Sequence, residues 1–174
     1  MKTNIGISEK HRHAVAQELN KVLADEYVLF TKTRNYHWNV EGPSFIEMHK
    51  FYESQSAEID EIIDAVAERI RALGYYSNGR LEDFISTTQL DEPGYTSKAE
   101  EQLKNLLEDH EAIIRNMRTL ITTFVEDHID LGSSDFITGL MERHEKMAWF
   151  LRSHLSGTEG NKKERELQQV KYEH

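Results

Sequence analysis

The amino-acid sequence predicts an all-α domain of four long helices with one long crossover. Three observations point there. Only 2 of its 174 residues are proline while 30% are charged, a composition of long helices rather than of many turns. Four stretches repeat apolar residues at three- and four-residue spacing, the signature of helices that bury one face. The breaks between them run short, long, short, an order that sets two helical hairpins side by side with a crossing connection between them. A chain of this length suits one domain with a single core.

Ser8 is placed to cap the first helix, which runs to about Tyr36 and turns Val15, Leu19, Val22, Leu23, Leu29 and Phe30 inward. Residues 41–43, Glu-Gly-Pro, break it. Ser44 and Glu47 have the spacing of a capping box and open a second helix, whose core stripe is Ile59, Ile62, Ile63, Val66, Ile70 and Leu73. Gly74 is its stop. Residues 75–95 form the long connection, with a short helix at Leu81–Ile85. Ser97 and Glu100 repeat the capping-box spacing at the head of a third helix through Leu103, Leu106, Leu107, Ile113, Ile114, Met117, Leu120, Ile121 and Phe124. Residues 130–135 turn the chain into a fourth helix that carries Ile137, Leu140, Met141, Met147, Trp149, Phe150 and Leu151 and ends near Leu155. The expected organisation is a ferritin-like four-helix bundle over residues 1–157, with its crossover carrying the short helix, followed by a polar, mobile tail over 158–174.

The formal net charge of −10 is unevenly placed. Residues 1–40 hold six basic and four acidic side chains and residues 158–174 four of each, so the body between them carries −12. Such a body repels nucleic acid and attracts cations. The absence of cysteine removes disulfides, thiolate metal sites and cysteine nucleophiles. No apolar run reaches transmembrane length and the N-terminus has no apolar core of a secretion signal, so the expectation is a cytoplasmic protein.

Chemistry concentrates between Asn35 and Ile70. His37 and His49 precede Glu53, Asp60, Asp64 and Glu68, and positions 49, 53, 60, 64 and 68 share an arc of about 100° on the polar side of the second helix. Histidine with carboxylate suits a metal ion, but His49 and Glu68 lie roughly 28 Å apart along one helix. The Glu-x-x-His pairs of an internal di-iron site are missing, since none of the nine histidines has glutamate three residues before it. Two copies of the helix crossing antiparallel about a two-fold axis resolve the distance. Setting His49 against Asp64 of the second copy also sets Glu53 against Asp60, with Ser56 and Ala57 at the crossing and Ser54 beside it. The site is then shared: His37, His49 and Glu53 from one chain, Asp64 and Glu68 from the other, repeated about 20 Å away. Ligand type alone admits iron, zinc or manganese. Taken singly, each of these residues is an ordinary solvated or hydrogen-bonded side chain; the joint spacing is what carries the reading. Glu58 and Glu61 are read as solvent-facing, and His11 with His13 as a weak second metal pair.

At these residues the sequence resembles the Dps family, the mini-ferritins named as DNA-binding proteins from starved cells. The resemblance covers roughly residues 10–156 and rests on HWNVEGPSFIEMHKFYE, DAVAERIRALG, DLGSSDF and HEKMAWFLRSHL. His37, His49, Asp64 and Glu68 match the family's inter-subunit ferroxidase ligands position by position, and Glu53 stands where the family carries an acid. The resemblance implies a hollow homododecamer that oxidises Fe(II), two ions per inter-subunit site, with hydrogen peroxide preferred over dioxygen, and stores Fe(III) inside. It implies an auxiliary redox role for Trp38, and acid-lined pores for which Asp127, Asp130 and Asp135 are the candidates by position. The alternative is a DNA-compacting protein of the nucleoid with minor ferroxidase activity. DNA binding in such proteins rests on basic tails; here Lys2, Lys10 and Arg12 at one end and Lys162, Lys163, Arg165 and Lys171 at the other, the latter matched by acids, predict weak or absent binding.

Overall fold

A computed structural model describes residues 3–172, with backbone alone for 157–172. Five helices follow in order: α1 Glu9–Asn39, α2 Phe45–Ala72, α3 Leu81–Thr87, α4 Ala99–Glu126 and α5 Leu131–Tyr172. No strand occurs among the described residues. α1 packs along α2 and α4 along α5, while α3 lies on α1. This is the predicted four-helix bundle with its crossover helix.

The apolar stripes meet as expected. Val15, Leu19, Val22, Leu23 and Leu29 close on Ile59, Ile62, Val66 and Ile70, and on Leu103, Leu106, Ile113, Met117, Leu120, Phe124, Ile137, Leu140 and Leu151. Trp149 is the exception: it is 57% exposed, and its neighbour Ala148 takes the buried place.

Helix ends decide where the site falls. Ser8 caps α1 as predicted, its hydroxyl accepting the His11 amide at 3.2 Å. At the end of α2, Tyr75 N–H donates to Ile70 O and Gly74 N–H to Arg71 O, the paired bonds of a Schellman stop. Gly74 has φ +93°, and a Cβ there would sit 2.3 Å from Thr3 Oγ1, so only glycine fits. The buried Arg12 guanidinium adds a bond to Leu73 O at 2.7 Å.

Both capping boxes are corrected. Ser44 precedes α2 with φ −96° and ψ 22°, and its side chain makes no cap bond. α4 starts at Ala99, one residue later than the spacing of Ser97 and Glu100 requires. There Thr96 serves instead: its hydroxyl accepts the Lys98 amide and donates to Glu101, and its carbonyl accepts from the Gln102 side chain. The last turn is also moved. α5 begins at Leu131, so Gly132, Ser133 and Ser134 are helical. The residue that makes this possible is Asp130, whose carboxylate accepts the Ser133 amide at 2.9 Å and the Ser133 hydroxyl at 2.6 Å, and faces Arg69 across the bundle. α5 then continues to Tyr172, through the segment expected as a tail; Lys, Glu, Arg, Leu and Gln dominate residues 162–171, side chains that lose little freedom in a helix.

The crossover is tied to α1. Asn20 accepts the Asn78 amide, Asp25 accepts from the Thr88 hydroxyl and the Gln89 amide, and Lys32 donates to Asp91 O and to the buried Asp109. Burial raises the Asp109 carboxyl above its ordinary range, with Lys32 opposing. Deeper in the core, Glu26 of α1, His144 of α5 and His110 of α4 form a chain. His144 Nε2 lies 2.9 Å from Glu26 Oε1, and its Nδ1 lies 2.9 Å from His110 Nδ1. Burial, and secondarily His144, holds His110 well below the usual histidine range.

Two outcomes follow. Asp130→Ala removes a buried cap and leaves Arg69 with the Ser133 hydroxyl but no carboxylate, and should lower the unfolding free energy by about 2 kcal/mol in a denaturant titration. His110 stays neutral in the fold but takes a proton when unfolded. Its contribution is therefore complete above roughly pH 6.5 and is lost as pH falls below it. Melting temperatures from pH 8 to 5 should fall more steeply for the wild type than for His110→Gln.

Candidate metal centre

His37 ends α1 and His49 lies in the second turn of α2, so the short turn between the helices brings them together. Their rings stack with centres 3.8 Å apart and planes 22° from parallel. Each Nδ1 lies 2.8 Å from the other residue's carbonyl oxygen. A carbonyl only accepts, so both imidazoles carry their proton on Nδ1. Both Nε2 atoms are left as lone-pair donors, and the exchange fixes tautomer and orientation together. This is the form in which histidine binds a metal, with its other nitrogen held by a hydrogen bond.

Glu53 follows His49 by one helical turn, while Asp60, Asp64 and Glu68 lie farther along α2; all four are exposed. Asp64 lies about 22 Å and Glu68 about 28 Å from His49 along the helix. Among the described residues no group of three or more histidine or carboxylate side chains converges so as to hold an ion. One chain presents the two imidazoles and Glu53 toward one end of α2, and Asp64 and Glu68 toward the other. At the expected crossing Ser56 is buried and donates to Glu53 O, while Ala57 and Ser54 face outward. Glu58 and Glu61, read as solvent-facing, both pair with Arg143 of α5. Trp38 is 65% exposed beside the histidines, with the Arg34 guanidinium 5.3 Å from its ring centre. Of the pore candidates, Asp127 and Asp135 are exposed, whereas Asp130 is buried in its cap. His11 and His13 do not pair: His13 meets Tyr75, and His11 meets His128.

Sequence reasoning missed the Glu26–His144–His110 chain, which draws one residue from each of three helices. It does not form a metal cage, because His144 turns opposite nitrogens toward its two partners. It also missed the carbonyl exchange, which no side-chain pattern records.

Comparison with known proteins places the molecule. The model of the ferritin-like domain matches residues 16–160, so the fold is that of a ferritin-like protein. A DNA protection during starvation protein 2 from Bacillus anthracis is 32% identical over 142 residues, covering 82% of this chain and 97% of its own. A low-temperature-induced protein of Nostoc sp., described as uncharacterized, is 43% identical over 155 residues, covering 88% and 87%. The Vibrio cholerae Dps crystal structure, described as a member of a superfamily of ferritin-like diiron-carboxylate proteins, superposes with a TM-score of 0.83 at 26% identity, covering 89% and 98%. The chain belongs to the Dps family.

Each Nδ1–H is held by the other residue's backbone carbonyl, which alanine keeps, so replacing one imidazole leaves the other's hydrogen bond and tautomer in place. In a double-mutant cycle of Co(II) binding, His37→Ala with His49→Ala should therefore bind clearly more weakly than either single variant. A double variant that binds no worse than the single ones would show that each ring depends on the other ring itself.

Proposed function

We propose that the protein is an iron-storing, iron-detoxifying ferroxidase whose dinuclear site forms between two copies of α2. The observation that carries the reading is the pair of preset imidazoles, with two Nε2 donors at one place and exposed carboxylates a helix length away. Kinship with DNA protection during starvation proteins and ferritin-like diiron-carboxylate proteins supports iron storage and DNA protection in general. In the two-fold arrangement His37, His49 and Glu53 of one chain join Asp64 and Glu68 of a second. Outward-facing Ala57 and Ser54 suit a close helix crossing.

Iron is the substrate there. Two Fe(II) ions each give one electron to one hydrogen peroxide, which takes up two protons and leaves as two waters, so the one-electron step that releases hydroxyl radical is bypassed. Dioxygen is the second oxidant. Trp38, exposed beside the histidines, is the auxiliary electron donor for stray oxidising equivalents. Fe(III) collects inside a cytoplasmic dodecameric shell, which Fe(II) enters through pores whose acids include Asp127 and Asp135; Asp130, committed to Arg69 and the start of α5, is left out of that set. Protection of DNA is chemical in this reading, since a net charge of −10 opposes binding to phosphate. Among the described residues no helix is long and apolar enough to cross a membrane.

Complementation tests the shared site. His49→Ala and Asp64→Ala chains should each lose rapid peroxide-driven Fe(II) oxidation in stopped flow. Mixed, dissociated and reassembled in equal amounts, they should regain about a quarter of the wild-type rate, because half the dimers are mixed and each mixed dimer restores one of its two sites. No recovery on mixing would place the site within one chain.

A further inference from the structure

At the bundle end that holds Gly74 and Asp130, two histidines from distant parts of the chain meet. The rings of His11, in the first turn of α1, and His128, in the α4–α5 turn, stand with centres 5.9 Å apart and planes tilted by 48°. That geometry is not a stack. His128 Nδ1 is closed to solvent and has no hydrogen-bond partner. The next residue, Ile129, has φ +55°, the one positive value outside glycine among the described residues. A β-branched side chain is strongly disfavoured there. The turn nonetheless keeps it, closed by the Asp130 amide donating to Phe124 O at 2.8 Å. A strained residue beside an unpartnered nitrogen marks a place where the backbone serves something other than its own stability.

Two imidazoles bound to one ion at about 2.0–2.1 Å set their ring centres roughly 5–6 Å apart, the separation found here. Both residues are half-buried, and exposed Glu126 and Asp127 adjoin His128 on the chain. We propose that His11 and His128 form a cation site for a divalent transition ion of the zinc, nickel or copper type, stapling the start of α1 to the α4–α5 turn. Imidazole nitrogen suits these ions better than it suits magnesium or calcium. The site is separate from the interfacial one and uses none of its residues.

The test uses the full chain with His37→Ala, His49→Ala, Asp64→Ala and Glu68→Ala, which removes both interfacial histidines and the acids that would face them. Equilibrium dialysis with Ni(II) and with Zn(II) should give one ion per chain and a raised melting temperature. Adding His11→Ala or His128→Ala should weaken binding at least tenfold and remove the thermal gain, while His13→Ala leaves both unchanged. His11→Ala alters only a partly exposed ring, so it carries the test if His128→Ala unfolds the turn. Absence of a bound ion in the parent, retention of binding in His11→Ala, or loss in His13→Ala would overturn the proposal. None of these outcomes bears on iron oxidation by the native interface.

Discussion

The constraint on which everything else rests is the stiffness of α2. A 28-residue helix holds its two ends apart, and no loop brings its acids back to its histidines. The bundle fixes its orientation: Ile59, Ile62, Val66 and Ile70 are fully buried along one face, so α2 cannot turn about its axis without exposing them. The polar face is consequently held outward as an edge. In the proposed site, ligands divided along that edge are reunited by assembly, which makes the quaternary arrangement part of the proposal.

Against that rigid edge, the histidine pair is local and self-sufficient. Its order comes from the turn between α1 and α2, closed by the Glu41 amide donating to Ser97 O and by Val40 donating to Tyr36 O. The turn is therefore fastened to the start of α4 as well as to its own helices. The imidazoles need no partner chain to reach their binding form, whereas the carboxylates lie on an open face. One half of the proposed site is preset, and the other is supplied by docking.

Much of this was legible in the sequence because periodicity and spacing survive without coordinates. The four apolar stripes, the crossover helix and the Gly74 stop followed from residue type and interval, and so did the distance that splits the ligands. The helix starts did not. Ser44 and Ser97 have the capping-box spacing, but the chain takes other φ and ψ at Ser44 and starts α4 a residue late, using Thr96. Asp130 was read as a turn and pore acid and not as the cap of α5; the Ser133 amide and hydroxyl that hold its carboxylate lie only three residues on, while its third partner, Arg69, is 61 positions away. Distance alone hides Glu26, His110 and His144, and Arg143 with Glu58 and Glu61: long-range partners leave no local pattern. Ser56 shows the finer limit, since a one-residue step along a helix turns a side chain by about 100° and carries it from the crossing into the core.

The side chains of Asn20, Asp25 and Lys32 anchor the crossover at three successive levels of α1. A connection of that length would ordinarily be the part of a bundle that frays first and admits proteases. Here its backbone is held by three side chains of α1, so local opening of the strap has to break bonds to the core helix it crosses, which ties its opening free energy to that of α1.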